Sequence, residues 1–118
     1  MYNVSIKLMA EPCRTLSGSS VPASNAAYKM VGTPYLEPIR MIYLQNLTDQ
    51  PVMFSLDGIN DHFPLISDAY LLFDITANKT LTQGFYLPQG GALYAKALGT
   101  TPQTGSIYYT VFYGGGTT

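Results

Sequence analysis

The sequence has no tryptophan, a single cysteine, a single histidine and, in 118 residues, only six basic and seven acidic side chains. Each shortage removes a class of explanation. Cys13 alone cannot form an intrachain disulfide, and without a Cys or Cys/His cluster there is no structural zinc site, so stability has to come from apolar packing and backbone ladders. A Ser/His/Asp hydrolase would have to use His62, and no G-x-S-x-G or comparable nucleophile turn accompanies it. The basic residues Lys7, Arg14, Lys29, Arg40, Lys79 and Lys96 form no stripe that could displace counterions from phosphates, which argues against nucleic acid as a partner. No run approaches the roughly 20 apolar residues of a membrane-spanning helix. The first 13 residues lack the basic lead and continuous apolar segment of a signal peptide, so they read as mature structure of a soluble protein made in the cytosol. The sequons at Asn3, Asn46 and Asn78 then read as accidents of a Thr- and Ser-rich chain.

What the chain does have is short apolar alternation, cut by Gly, Pro, Asn and Asp. The length suits one domain, residues 1–118, that buries roughly two thirds of its unfolded surface. Residues 38–63, PIRMIYLQNLTDQPVMFSLDGINDHF, show the organisation most clearly. In IRMIYLQ, Ile39, Met41 and Tyr43 fall on one side and Arg40, Ile42 and Leu44 on the other, as in a strand covered on both faces or meeting another subunit. Residues 46–51 read as a turn. Val52, Phe54 and Leu56 then alternate with Met53 and Ser55, and Asp57-Gly58 tolerates the positive backbone angles of a hairpin turn whose partner strand begins near His62.

Further strands are expected on the same grounds. Tyr2, Val4, Ile6 and Leu8 alternate with polar residues, giving a first strand with one buried face. Residues 26–31 suggest a short strand, with Pro34 and Pro38 marking an edge or a link between sheets. AYLLFDI near residue 70 is followed by a turn at residues 77–79, a short strand at 84–87, and Leu93, Ala95 and Ala97 alternating with Tyr94 and Lys96. In the last strand, 106–113, Ile107, Tyr109, Val111 and Tyr113 face one way and Tyr108, Thr110 and Phe112 the other. Residues 10–25, broken by Pro12, Gly18 and Pro22, read as a long loop or arm, either mobile or laid on a neighbour, and 114–118 as a frayed tail. The sum is an all-β domain, an antiparallel β-sandwich or jelly roll of about eight strands with a long N-terminal loop or arm. No segment holds a helical period for three turns, and no internal repeat is present.

Two features could carry chemistry. Asp57-Gly58-Ile59-Asn60-Asp61-His62 gathers oxygen ligands, yet its glycine stands second where a calcium loop has it sixth, and the apolar stretch from Phe63 to Ile66 separates it from Asp68 at the twelfth position, so the segment reads as a turn satisfied by Asx hydrogen bonds. Cys13 paired with His62 would sit in a proline-flanked arm with nothing to hold it. No catalytic, metal or cofactor site is therefore assigned. The ten tyrosines are the other excess. With an apolar ring and a polar tip, tyrosine suits half-buried contacts, and the interface candidates are Tyr108, Tyr109, Phe112, Tyr113, Ile39, Met41 and Tyr43, with core packing as the competing explanation for each.

Through QNLTDQPVMFSLDGINDHFPL, FDITANKT, FYLPQGGALYAK and TGSIYYTVFYG, roughly residues 38–114, the chain resembles small all-β virion proteins of tailed bacteriophages. The shared flavour is an Asn-x-Thr-Asp turn, a strand ending in Ser-x-Asp-Gly, and a Gly-rich turn before a Tyr-containing strand. The resemblance implies a non-enzymatic structural protein of the particle, made in the host bacterial cytoplasm and present as a symmetric homo-oligomer. Its partners would be copies of itself and other virion proteins, either the major capsid protein, for a cement or decoration protein, or portal and neck proteins, for a head-to-tail adaptor ring. A carbohydrate- or receptor-binding module of a tail or fibre, using tyrosines as stacking platforms, is the alternative from a different class.

Overall fold

The computed structural model describes the chain from residue 6 to 74 and from 87 to 117, with side chains described for 8–74 and 87–114. Among the described residues nine strands form two antiparallel sheets: β1 (Ile6–Ala10), β2 (Arg14–Ser17), β3 (Lys29–Met30), β4 (Met41–Thr48), β5 (Val52–Ser55), β6 (Phe63–Leu65), β7 (Ala69–Asp74), β8 (Tyr94–Ala97) and β9 (Gly105–Thr117). The larger sheet runs β1-β9-β4-β7, with β2 also on β9, and the smaller runs β3-β8-β5-β6. The domain is an all-β sandwich, as the alternation predicts.

The core lies between the sheets. From the large sheet it takes Leu16, Ile42, Leu44, Ile107, Tyr109 and Val111; from the small one, Val52, Phe54, Ala95 and Ala97, with Leu93 just ahead of β8. These are the alternate residues of their strands, so one period-two pattern decides both which face is buried and the register of each ladder. Each large side chain so buried contributes about 1.5–3 kcal/mol. The two doubly apolar strands pair with each other at the centre of the large sheet, Met41 opposite Phe112 through Thr48 opposite Gly105. At that last pair the ladder is so close that a Cβ on Gly105, whose φ is +78°, would stand 2.0 Å from the Leu47 carbonyl oxygen.

Four expectations need correction. Residues 10–25 are not simply an arm: β2 pairs with β9, a 3₁₀ turn follows at Gly18–Ser20, and Glu11, Arg14, Leu16, Gly18 and Val21 are buried. The physical reasons are a buried ion pair and the packing of Leu16 and Val21 into the core. Arg14 Nη2 donates to Glu11 Oε1 at 2.6 Å and to the Pro34 carbonyl at 2.9 Å, and Nε donates to Thr33 O at 2.7 Å. Glu11 Oε2 accepts the Leu36 and Glu37 N–H groups at 3.0 Å each. The pair thereby clamps the link that crosses between the sheets, and a carboxylate and guanidinium so fully bonded can be buried together. Pro12 and Cys13 stand together opposite Thr110, a bulge between β1 and β2 on an edge where the missing proline N–H costs no ladder bond.

Second, Asn46 is no turn residue. Strand β4 continues to Thr48, and the wholly buried Asn46 side chain donates to the carbonyls of Gln50, Leu65 and Ile66 and accepts the Thr48 N–H and hydroxyl. Its sequon is occupied by structure; Asn3 and Asn78 lie outside the described residues. Third, residues 114–117 extend β9, with Leu8 opposite Gly114 and Ile6 opposite Thr117, so the glycine run is ladder rather than fray. Fourth, Leu8 lies on the solvent side and is 61% exposed, whereas the alternation had placed it on a buried face. The turn at 77–79 and all but Leu87 of the strand at 84–87 fall outside the described residues; Leu87 bridges to Ile39.

Candidate functional site

Because inward and outward residues alternate on every strand, the register of the large sheet also dictates what its outer face presents. Reading across β4, β9 and their neighbours, one row holds Asp74, Met41, Phe112 and Ala10, and the next holds Leu72, Tyr43 and Thr110. The third holds Tyr70, Gln45, Tyr108 and Thr15, and the fourth holds Leu47, Ser106 and Ser17. Asp74 at one corner is the only acid or base among these outward residues. Tyr70 is 68% exposed, Leu72 59% and Tyr108 38%, and the rings of Tyr43 and Tyr70 pack tilted with centroids 6.1 Å apart. An apolar and aromatic face of this width, charged at one corner alone, is the surface composition of the centre of a protein interface rather than of ordinary solvated sheet.

The interface candidates divide on this geometry. Met41, Tyr43, Tyr108 and Phe112 share the outer face. Ile39 and Tyr109 are fully buried and belong to the core, where the Tyr109 hydroxyl meets that of Tyr35 at 2.6 Å; Tyr113 is half-buried and packs on the core from the inner side. Tyr70, Leu72, Leu47 and Leu8 complete the face and escaped the sequence reading. The signal for two of them was present: AYLLFD is apolar on both sides, as the last strand is, and the rule that singled out Tyr108 and Phe112 applies equally to Tyr70 and Leu72.

The segment 57–62 is a self-satisfied loop folded over the outside of the small sheet. Asp57 accepts the N–H groups of Ile59 and Asn60 and the amide of Asn60, all at 2.8 Å, together with the Ser55 hydroxyl at 2.9 Å. The Asn60 and Ile59 N–H groups hold its carboxyl well below the usual carboxylate range. His62 Nδ1 accepts the Leu56 N–H at 2.8 Å, which puts its proton on Nε2. Asp61 accepts the Tyr28 hydroxyl and lies 3.4 Å from Lys96 Nζ, which in turn sits over the Tyr28 ring; that hydroxyl, ahead of the lysine, lowers the Asp61 carboxyl. The loop is thus a run of Asx bonds, with its carboxylates engaged by groups of its own chain. Cys13 is exposed in the β1–β2 bulge on the large sheet, and His62 belongs to this loop on the small one.

Between the two sheets, beside β6 and β7, an opening of about 300 Å³ is lined by Ile42, Leu56, Phe63, Leu71, Phe73 and Leu87. Its lining is apolar among the described residues. The outer face of the large sheet is therefore the strongest candidate site among the described residues. Comparison of the chain with family models, with curated proteins and with solved structures finds no match.

Proposed function

We propose that this protein is a non-enzymatic structural protein of a tailed-phage virion, a cement or decoration protein that stabilises the head by joining neighbouring subunits. The observation that carries the reading is the outer face of the large sheet, uncharged except for Asp74 and built from Met41, Tyr43, Tyr70, Leu72, Tyr108 and Phe112. Such a face binds by excluding water over a broad area, which is how lattice subunits hold one another. The resemblance of residues 38–114 to small virion proteins supplies the setting. With Ala10 and Arg14–Ser17 built into the large sheet and Val21 in the core, attachment is assigned to sandwich surfaces and not to a free arm.

The test is copy number in purified particles, followed by uptake of the purified protein onto undecorated heads. Hundreds of copies and saturable uptake fit the cement reading. About a dozen copies or fewer would move the protein to a neck or adaptor ring, and absence from particles would end the virion reading. One feature favours a second reading: Tyr43, Tyr70 and Tyr108 are partly to mostly exposed rings on a single face, as sugar-stacking platforms are. Selective binding on a glycan array by the isolated protein, lost in Tyr70→Ala, would favour a carbohydrate-recognition module of a tail or fibre.

A further inference from the structure

We propose that the outer face of the large sheet is occupied by a second copy of this chain, packed sheet against sheet about a two-fold axis that runs along the strands, between β4 and β9. The inference rests on reading that face as a protein-binding surface, and it names the partner.

Three observations carry it. The first is charge. A partner rich in acids or bases would lose its hydration against this face without gaining a counter-charge, whereas the face's own composition is matched to itself. The second is relief. With the axis between β4 and β9, each row of one copy faces the same row of the other, reversed: β4 lies over β9, and β7 over the β1–β2 edge. Tyr43 of one copy then stands over Thr110 of the other, Tyr108 over Gln45, and the most exposed ring, Tyr70, over Thr15. Each tyrosine ring meets a shorter side chain, Phe112 meets the flexible Met41, and Asp74 meets Ala10 rather than another acid. Packed sheets cross at about 30°, which displaces the outer columns by roughly 4 Å at strand spacings of about 4.8 Å and leaves the central pairs in place. The third is size. Four columns about 19 Å across and eight residues about 26 Å long give about 500 Å² of flat sheet, whose corrugated accessible surface approaches the roughly 800 Å² per partner of a stable interface.

The experiment is sedimentation equilibrium of the full chain from nanomolar to high micromolar concentration. The expected results are a dimeric wild type, a dissociation constant raised at least about 30-fold in Tyr70→Lys, as for loss of an aromatic anchor, and recovery of about 10-fold in Tyr70→Lys/Thr15→Glu, where the axis sets the new charges opposite one another. Tyr70→Lys/Leu8→Glu, its acid roughly 20 Å along the same edge, should not recover. Tyr70 is mostly exposed, so these variants keep the fold, and unchanged melting checks that.

A wild type that stays monomeric overturns the proposal, as does a dimer indifferent to Tyr70→Lys or one that Thr15→Glu fails to restore. If the wild type is monomeric and Tyr70→Lys abolishes uptake onto heads, the face takes a different protein: the dimer is wrong and the virion reading stands. A dimer rescued as described in a protein absent from particles is the converse result.

Discussion

The hydroxyls of Tyr35 and Tyr109 lie 2.6 Å apart in the core, joining residues 74 positions apart in the chain. Tyr35 comes from the link between the sheets and Tyr109 from the middle of β9, and their rings are tilted at 6.2 Å between centroids. Each phenol is the other's buried partner, so removing one leaves the other in want. Tyr109→Phe should cost about 1–3 kcal/mol in denaturant unfolding. Tyr35→Phe/Tyr109→Phe should cost less than the two single changes added together, and strict additivity would show that the hydroxyls do not interact.

The same pair sets an alkaline limit. Burial raises both phenols above their ordinary value; for Tyr109 the neighbouring Tyr35 adds to the effect, while for Tyr35 its bond to Tyr109 and the Arg14 charge oppose it. A folded-state value above the unfolded one means that the contribution is complete below about pH 10 and is lost as pH rises through the folded value. Phenolate absorbance should therefore show Tyr35 and Tyr109 titrating only as the protein unfolds, and Tyr28, raised by burial and by its bond to Asp61, titrating later than the other tyrosines. A smooth titration of all ten in the folded state would contradict this.

On the acid side the sign reverses. Asp57 is held low by the N–H groups of Asn60 and Ile59, and Asp49 by those of Gln103 and Thr104. Their contribution is present above the unfolded value of about 3.9 and disappears as pH falls toward the folded values. Asp57→Asn should flatten the decline in melting temperature below about pH 5. Both groups are exposed and solvent-screened, so the change at neutral pH should be small.

Breaking the Glu11–Arg14 pair from one side strands a charge in the interior. Glu11→Ala should cost about 3–5 kcal/mol by chemical denaturation, and Glu11→Met/Arg14→Met, which removes both charges, should cost less than that single change. A loss under about 1 kcal/mol for Glu11→Ala would mean that the link at 33–37 is held by its other bonds.

Gly105→Ala should destabilise by more than about 1 kcal/mol, since a side chain there is disfavoured by its backbone angle and aimed at the Leu47 carbonyl. Gly90→Ala serves as a comparison: its φ is also positive, at +86°, but no atom lies within 4 Å of the added Cβ. The difference between the two measures the steric part alone.

Much of the fold was legible because its signal is local. Val52 and Phe54, Leu93, Ala95 and Ala97, and Ile107, Tyr109 and Val111 alternate within single strands, and alternation is all that a sandwich needs to assign an inner face. What escaped was decided by partners far away in sequence. Arg14 and Glu11 look like surface residues of a polar stretch until the carbonyls of Thr33 and Pro34 and the amides of Leu36 and Glu37 are placed around them. Asn46 belongs to a turn by propensity and to a strand by the carbonyls of Leu65 and Ile66. On the candidate face, Met41, Tyr43, Tyr108 and Phe112 stood among seven candidates; Tyr109 and Tyr113 could be set apart only by knowing which side of β9 faces the second sheet, and Ile39, which alternation grouped with Met41 and Tyr43, lies ahead of β4 and bridges to Leu87 in the core.

Strand β9 ladders with β1, β2 and β4, so one late segment holds together strands from the beginning and the middle of the chain. A nascent chain lacking residues 105–117 has β1 and β2 without a neighbour and β4 with only β7. The large sheet is therefore completed after most of the chain has been synthesised, and its closure joins partners about 100 residues apart. Pairings of that span close slowly, on the millisecond-to-second scale of β-sandwiches. Until they close, the aromatic rows of β4 and β7 stand open at the edge of an unfinished sheet. Folding yield should therefore fall with concentration more steeply than the stability of the finished domain would suggest.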